Sequence, residues 1–297
     1  MISNYKVLFS FALTAMLSGC GTIWDPASLL SDKPGDPYEV IVSSFVLETT
    51  QDQGTSSNNI NEVWVYTETD VLGVFPLPAS IPFITDASMG VSELIIQAGI
   101  RVNGISATRK PYPFYKAMEL EVENIPGGMK TVEFHSNYIE SAQIILAEDF
   151  ESANRFEANN TSTAEVVRTV DPDLVFEGNA SGLILLSPEQ SQVTSTTQEQ
   201  LYNLPQSGPI YLEFDYRCDN TFAVGLEAIG GGNPQRTPII VLNPTGEEWK
   251  KMYLDLGPMV FSTPSAFGYE LTLDAILDLG EESGYVVVDN FKLVYYK

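Results

Sequence analysis

The chain reads as all-β, a small β-sandwich followed by a larger one, and three observations predict it. Short runs of β-branched and aromatic residues recur between clusters of Gly, Pro, Asn and Asp, at the spacing of sandwich strands. Met118, Leu120 and Val122 alternate with Glu119, Glu121 and Glu123, the period of two that gives a strand one wet face. No stretch carries a helical period with capping residues. With 297 residues, 44% of them hydrophobic and 11% aromatic, the chain is long enough for two cores and too apolar for global disorder.

At the start, Lys6 precedes an apolar run over residues 7–17, and Leu17-Ser18-Gly19-Cys20 closes it. A basic opening, an apolar middle and small residues at a cut describe a secretory signal. The run is shorter than the roughly 20 apolar residues of a spanning helix. The arrangement resembles a bacterial lipoprotein signal. That implies removal of residues 1–19 and a covalent lipid, palmitate among its chains, on Cys20 as the mature N-terminus. Several acyl chains, at about 0.8 kcal/mol per buried CH₂, make such an anchor stable. The resemblance extends to outer-membrane lipoproteins of the Bacteroidota type, because Gly21 stands where an inner-membrane retention signal often carries aspartate. It leaves open whether the protein faces the periplasm or the outside. Residues 20–37, with Asp25-Pro26 and Lys33-Pro34-Gly35-Asp36-Pro37, read as a tether.

Residues 38–142 form the first sandwich. Glu39-Val40-Ile41-Val42 and Val63-Trp64-Val65-Tyr66 are strands by composition. Pro126-Gly127-Gly128 turns the chain from the alternating run at 118–123 into Thr131-Val132-Glu133-Phe134. The order Val63-Trp64-Val65-Tyr66, Leu72-Gly73, Pro76-Leu77-Pro78, Leu94-Ile95-Ile96-Gln97-Ala98-Gly99 resembles PEGA-like and carboxypeptidase-regulatory-like domains, small Ig-type sandwiches. That resemblance implies a spacer or docking surface without chemistry.

Residues 143–297 form the second sandwich. No long linker separates the halves, so they abut. Strands are expected at Gly182-Leu183-Ile184-Leu185-Leu186 and over residues 210–216, 222–228, 237–242, 249–254, 269–273 and 285–294. The Ser/Thr/Gln-rich residues 191–198 read as an exposed loop. Asp149-Phe150-Glu151, Glu177-Gly178-Asn179-Ala180-Ser181-Gly182, Trp249-Lys250-Lys251-Met252-Tyr253-Leu254-Asp255-Leu256 and Val288-Asp289-Asn290-Phe291-Lys292-Leu293 occur in the order seen in galactose-binding-like jelly rolls. Many carbohydrate-binding modules of glycoside hydrolases belong to that group. The resemblance implies a structural Ca²⁺ joining the first and last strands through Glu151 and Asp289, with Asp149 as a further ligand. Carboxylates and carbonyls suit that ion; solvated strand-end acids are the alternative. The resemblance puts Trp249 in the core and carries over no sugar-binding side chain. Tyr202, Tyr216 and Phe222 are candidates for an aromatic platform or for core.

Thirty-nine acids against 15 Lys and Arg give a net charge of −24, which repels nucleic acid and suits a divalent cation, a neutral sugar or a basic protein surface. There are two cysteines; with Cys20 lipidated, Cys218 has no disulfide partner and reads as a small buried hydrophobe. One histidine, His135, excludes a His-clustered zinc site, and neither a nucleophile elbow nor a Walker loop is present. The sequence therefore reads as a non-catalytic, membrane-anchored binding protein for a glycan or a protein. The alternative is an accessory subunit of an outer-membrane complex for nutrient import or barrel-protein assembly.

Overall fold

A computed structural model describes residues 37–84, 90–197, 201–230 and 234–297. The signal, Cys20 and the tether up to residue 36 lie outside the described residues. The fold is all-β, as the alternation predicts. The N-terminal half supplies β1 (Tyr38–Glu48), β2 (Glu62–Tyr66), β3 (Val71–Pro76), β4 (Ala79–Phe83), β5 (Val91–Arg101), β6 (Arg109–Pro111), β7 (Met118–Glu123) and β8 (Met129–Asn137). One sheet runs β4-β1-β8, with β1 and β8 parallel; the other runs β3-β2-β5-β6, with β7 also on β5. In β7, Leu120 and Val122 face the core while Glu119, Glu121 and Glu123 are exposed. Between the two sheets lie Val40, Val63, Ile81, Ile96 and Phe134, all fully buried.

The C-terminal half supplies β9 (Ala142–Glu148), β10 (Glu157–Ala158), β11 (Val167–Thr169), β12 (Ser181–Leu186), β13 (Gln192–Thr196), β14 (Ile210–Cys218), β15 (Phe222–Gly230), β16 (Gln235–Leu242), β17 (Lys250–Asp255), β18 (Ala266–Ile276) and β19 (Gly284–Tyr296). A five-stranded sheet β10-β13-β18-β15-β16 packs on a six-stranded sheet β11-β12-β19-β14-β17 that also takes β9 beside β19. Phe214 and Phe291 stack in the core between them, 5.1 Å apart and nearly coplanar in orientation. Cys218 is buried there, and burial pushes its thiol up to about 11.

Three sequence readings need correction. The Ser/Thr/Gln-rich segment expected as a loop contains β13, because its residues alternate: Val193 packs inward and Ser195 turns its hydroxyl to the Leu273 carbonyl at 2.6 Å. A short helix, α1 (Gly257–Ser262), lies where none was expected; Pro258 in its first turn is compatible with a start, but one turn and a half shows no periodicity. Trp249 is half-buried against Phe176 and outside the core. Among the described residues no helix is long and apolar enough to cross a membrane.

The two halves share a surface. In β14, Ile210, Leu212, Phe214, Tyr216 and Cys218 face the C-terminal core, yet Tyr211, Glu213 and Asp215 on the opposite face are buried too. The N-terminal half covers them: Tyr211, Tyr253 and Val294 complete its own core. The charges trapped on this covered face each find a hydrogen-bond or ion-pair partner, since an isolated buried charge costs several kcal/mol. Glu213 accepts from the hydroxyls of Tyr112 (2.5 Å) and Tyr138 (2.9 Å). Asp215 accepts from Ser57 (2.7 Å) and Lys251 (3.2 Å). Lys292 donates to the Thr55 carbonyl at 2.5 Å and lies over the Tyr138 ring.

Candidate functional site

The structure brings the three predicted calcium ligands together. Asp149, Glu151 and Asp289 line one cavity of about 320 Å³, with Glu177, Asn290 and Lys292. Their carboxylates, however, are turned to protein donors. Glu151 accepts from the N–H groups of Asn179 (2.7 Å) and Ala180 (3.2 Å) and from the Asn179 side-chain amide (2.8 Å), and these bonds hold its carboxyl below its ordinary range. Asp289 accepts from the Ser181 hydroxyl (2.7 Å) and the Asn290 N–H (2.8 Å). Asp149 accepts from the Glu151 N–H at 3.1 Å. Lys292 lines the same cavity, its ammonium donating to the carbonyl of Thr55, another lining residue. Oxygens aimed at N–H and O–H donors beside a cation do not fit Ca²⁺, which wants six to eight oxygen ligands free to converge. Among the described residues no group of three or more His, Cys, Asp or Glu side chains is placed to hold a metal. The hydrogen bonds of Glu151 latch the loop before β12 onto the start of the second half. Gly178, at φ +70°, takes the turn that brings the Asn179 and Ala180 N–H groups onto Glu151.

A different surface has the makings of a binding site. The outward face of the six-stranded sheet is sealed over β14, β17 and β19 by the N-terminal half. The outward face of the five-stranded sheet carries a cleft of about 500 Å³, lined by Glu157, Thr194, Thr196, Glu227, Arg236 and Glu270 among others. Strand alternation puts them there. In β18, Tyr269, Leu271, Leu273 and Ala275 point to the core, so Glu270, Thr272 and Asp274 point out. Glu227 lies between Arg236 and Glu270 in the ladder. Arg236 reaches across this face. Its guanidinium pairs with Glu227 at 3.0 Å and with Asp274, and donates to the Ser195 carbonyl at 2.8 Å. Burial raises the Glu270 carboxyl against the pull of a Thr196 hydrogen bond, with the Glu227 charge adding to the rise. The Thr272 hydroxyl is buried on the same face without a hydrogen-bond partner among the described residues. The arrangement offers hydroxyls, carboxylates and a guanidinium held in fixed geometry, the groups that exchange hydrogen bonds with a polyhydroxylated ligand.

Sequence reasoning missed this set. Its signal was the alternation Glu270, Thr272, Asp274 along β18, polar on one face while the other face is wholly apolar. The aromatic candidates resolve to the core alternative: Tyr202, Tyr216 and Phe222 are all buried. His135 is exposed between Glu48 (3.0 Å) and Glu133 (2.8 Å), whose hydrogen bonds raise its pKa. It stands on β8, in a different sheet from the cleft strands.

No family profile matches the chain, and no curated sequence matches it. Among solved structures, it is similar to the family 30 carbohydrate-binding module of the cellulosomal cellulase Cel9D-Cel44B of Clostridium thermocellum, at 15% identity and a TM-score of 0.39, over 51% of this chain and 96% of that one. The family 11 carbohydrate-binding module of the cellulosomal cellulase Lic26A-Cel5E of the same organism is similar at 15% identity and a TM-score of 0.36, over 52% and 95% of the two chains. TmCBM61, solved in complex with beta-1,4-galactotriose, is similar at 16% identity and a TM-score of 0.31, over 48% and 88%. At TM-scores this low the likeness carries no argument about a ligand.

Proposed function

We propose that this chain is a non-catalytic glycan-binding protein, tethered to the outer membrane by a lipid on Cys20, that takes a neutral sugar chain into the cleft on its five-stranded sheet. The observation that carries the reading is the polar array around Arg236 on the one broad face of the second sandwich that the N-terminal half leaves open. The cleft lining holds Glu157, Glu227 and Glu270 against one arginine. That excess of acid favours a neutral ligand over an anionic one. Glu227 and Asp274 are engaged by the same guanidinium, which supports binding over acid catalysis by a free carboxylate pair.

The test is calorimetric titration of the purified protein with neutral oligosaccharides chosen from a glycan array. Arg236→Ala removes the hub and leaves Glu227 and Asp274 unpaired, so binding should weaken by about tenfold or more. Array silence for the wild-type protein, or unchanged affinity in the variant, would overturn the assignment. The anchor is tested separately. Cys20→Ala should move the protein from the membrane fraction to the soluble fraction, and retention in the outer membrane would show that lipid is not what holds it.

A further inference from the structure

A second cleft, of about 540 Å³, opens at the seam between the halves. One wall is N-terminal: Ser57, Asn58, Asn59, Asn61 and Arg101. The other is the leading end of β17 with Trp249 and Phe176, whose rings lie 5.0 Å apart. Three hydrogen bonds fix the walls against each other. Asn103 accepts from the Asp255 N–H at 2.8 Å, the Tyr253 hydroxyl accepts from the Asn59 N–H at 3.3 Å, and Ser57 donates to Asp215 at 2.7 Å. Walls held in this way need little backbone rearrangement when a ligand enters.

Its charge runs against that of the chain. The protein has 39 acids and 15 Lys and Arg. The charged residues lining this cleft are Arg101, Lys250, Lys251, Asp215 and Glu248, and Lys251 is already paired with Asp215. Arg101, Lys250 and Glu248 are exposed and, among the described residues, have no ion-pair partner. Arg217, outside the lining, holds the Trp249 ring in place, its guanidinium 5.5 Å from the ring centre and donating to the Asp173 carbonyl at 2.6 Å. Two cations without an ion-pair partner among the described residues, the side-chain amides of Asn59 and Asn61 and an aromatic wall are complementary to a sugar ring that carries a carboxylate: the ring's C–H face meets the aromatics and the carboxylate meets Arg101 and Lys250. We infer that this seam cleft is a second glycan site, specific for uronic-acid sugars. It stands on residues separate from the Arg236 cleft, whose acidic lining disfavours the same ligand.

Titration of the purified protein with tetragalacturonate, against a neutral galactose tetrasaccharide, tests the site. The uronate should bind, with affinity that falls as salt rises. The Arg101→Ala/Lys250→Ala double variant should lose about tenfold or more of that affinity at an unchanged melting temperature, since both side chains are exposed. Arg236→Ala should leave uronate binding intact, so failure at one cleft is distinguishable from failure at the other. Absence of uronate binding, equal binding of the neutral tetrasaccharide, or full affinity in the double variant overturns the inference.

Discussion

Asp289 shows how a residue is identified by sequence while its role is not. Its place in the last strand was legible in Val288-Asp289-Asn290-Phe291-Lys292-Leu293. Its donors were not, because the Ser181 hydroxyl comes to it from another strand. Burial pushes the Asp289 carboxyl from 3.8 up to about 7, outweighing the two hydrogen bonds that pull it down. Because the folded value is the higher one, the native state keeps a proton that the unfolded chain has already released. Stability from this group is therefore full below about pH 4 and declines toward pH 7, by at most about 1.4 kcal/mol per pH unit. Lys292 works in the opposite sense: burial lowers it to about 8, so stability recovers as pH rises from there toward its ordinary value of 10.5. Together the two groups put a trough between about pH 7 and 8, where many proteins are at their most stable. Urea denaturation at pH 5 and pH 8 measures it. Asp289→Asn should lose much less stability between the two than wild type; an equal loss in both proteins would rule the trough out.

At the scale of elements, period two was the reliable signal. It placed β7, and with the composition of short strands between turns it also marked β12 and β14 to β19 of the second half. It failed at β13, where Ser195 stands at an inward position and donates to the Leu273 carbonyl, and at α1, which is too short to show a period. The glycine-rich approach to β12 was recognisable, but what it serves was not. Gly182 lies under the ring of Phe150, a residue at φ +54° that is fully buried. A Cβ at Gly182 would stand 2.3 Å from that ring. Gly182→Ala should therefore cost about 1–3 kcal/mol through overpacking, read as a fall of several degrees in melting temperature. Gly182→Ala with Phe150→Leu should cost less than the sum of the two single changes, because both act on one contact. Strict additivity would count against the clash.

On the scale of the whole molecule, the sequence announced two sandwiches in contact and gave no hint of how they meet. Alternation marks Glu213, Asp215, Lys251 and Lys292 as ordinary solvent-facing positions of antiparallel strands. Only the folded chain reveals that Tyr112, Tyr138, Ser57 and Thr55, all from the other half, come to rest on them. Both candidate clefts follow from that arrangement: one lies on the face the N-terminal half leaves bare, the other along the seam where it ends.

The sealed face also bears on how such a gene can change. A binding module whose two faces both meet water is portable, and can be copied from one enzyme to the next as a cassette. Here β14 and β19 depend on a lid encoded up to some 240 residues upstream, as the 237-residue separation between Thr55 and Lys292 attests. A recombination break between the halves would strand ionised groups and three core side chains, Tyr211, Tyr253 and Val294, on a bare sheet. The two sandwiches are thereby committed to travel, and to diverge, as one heritable unit.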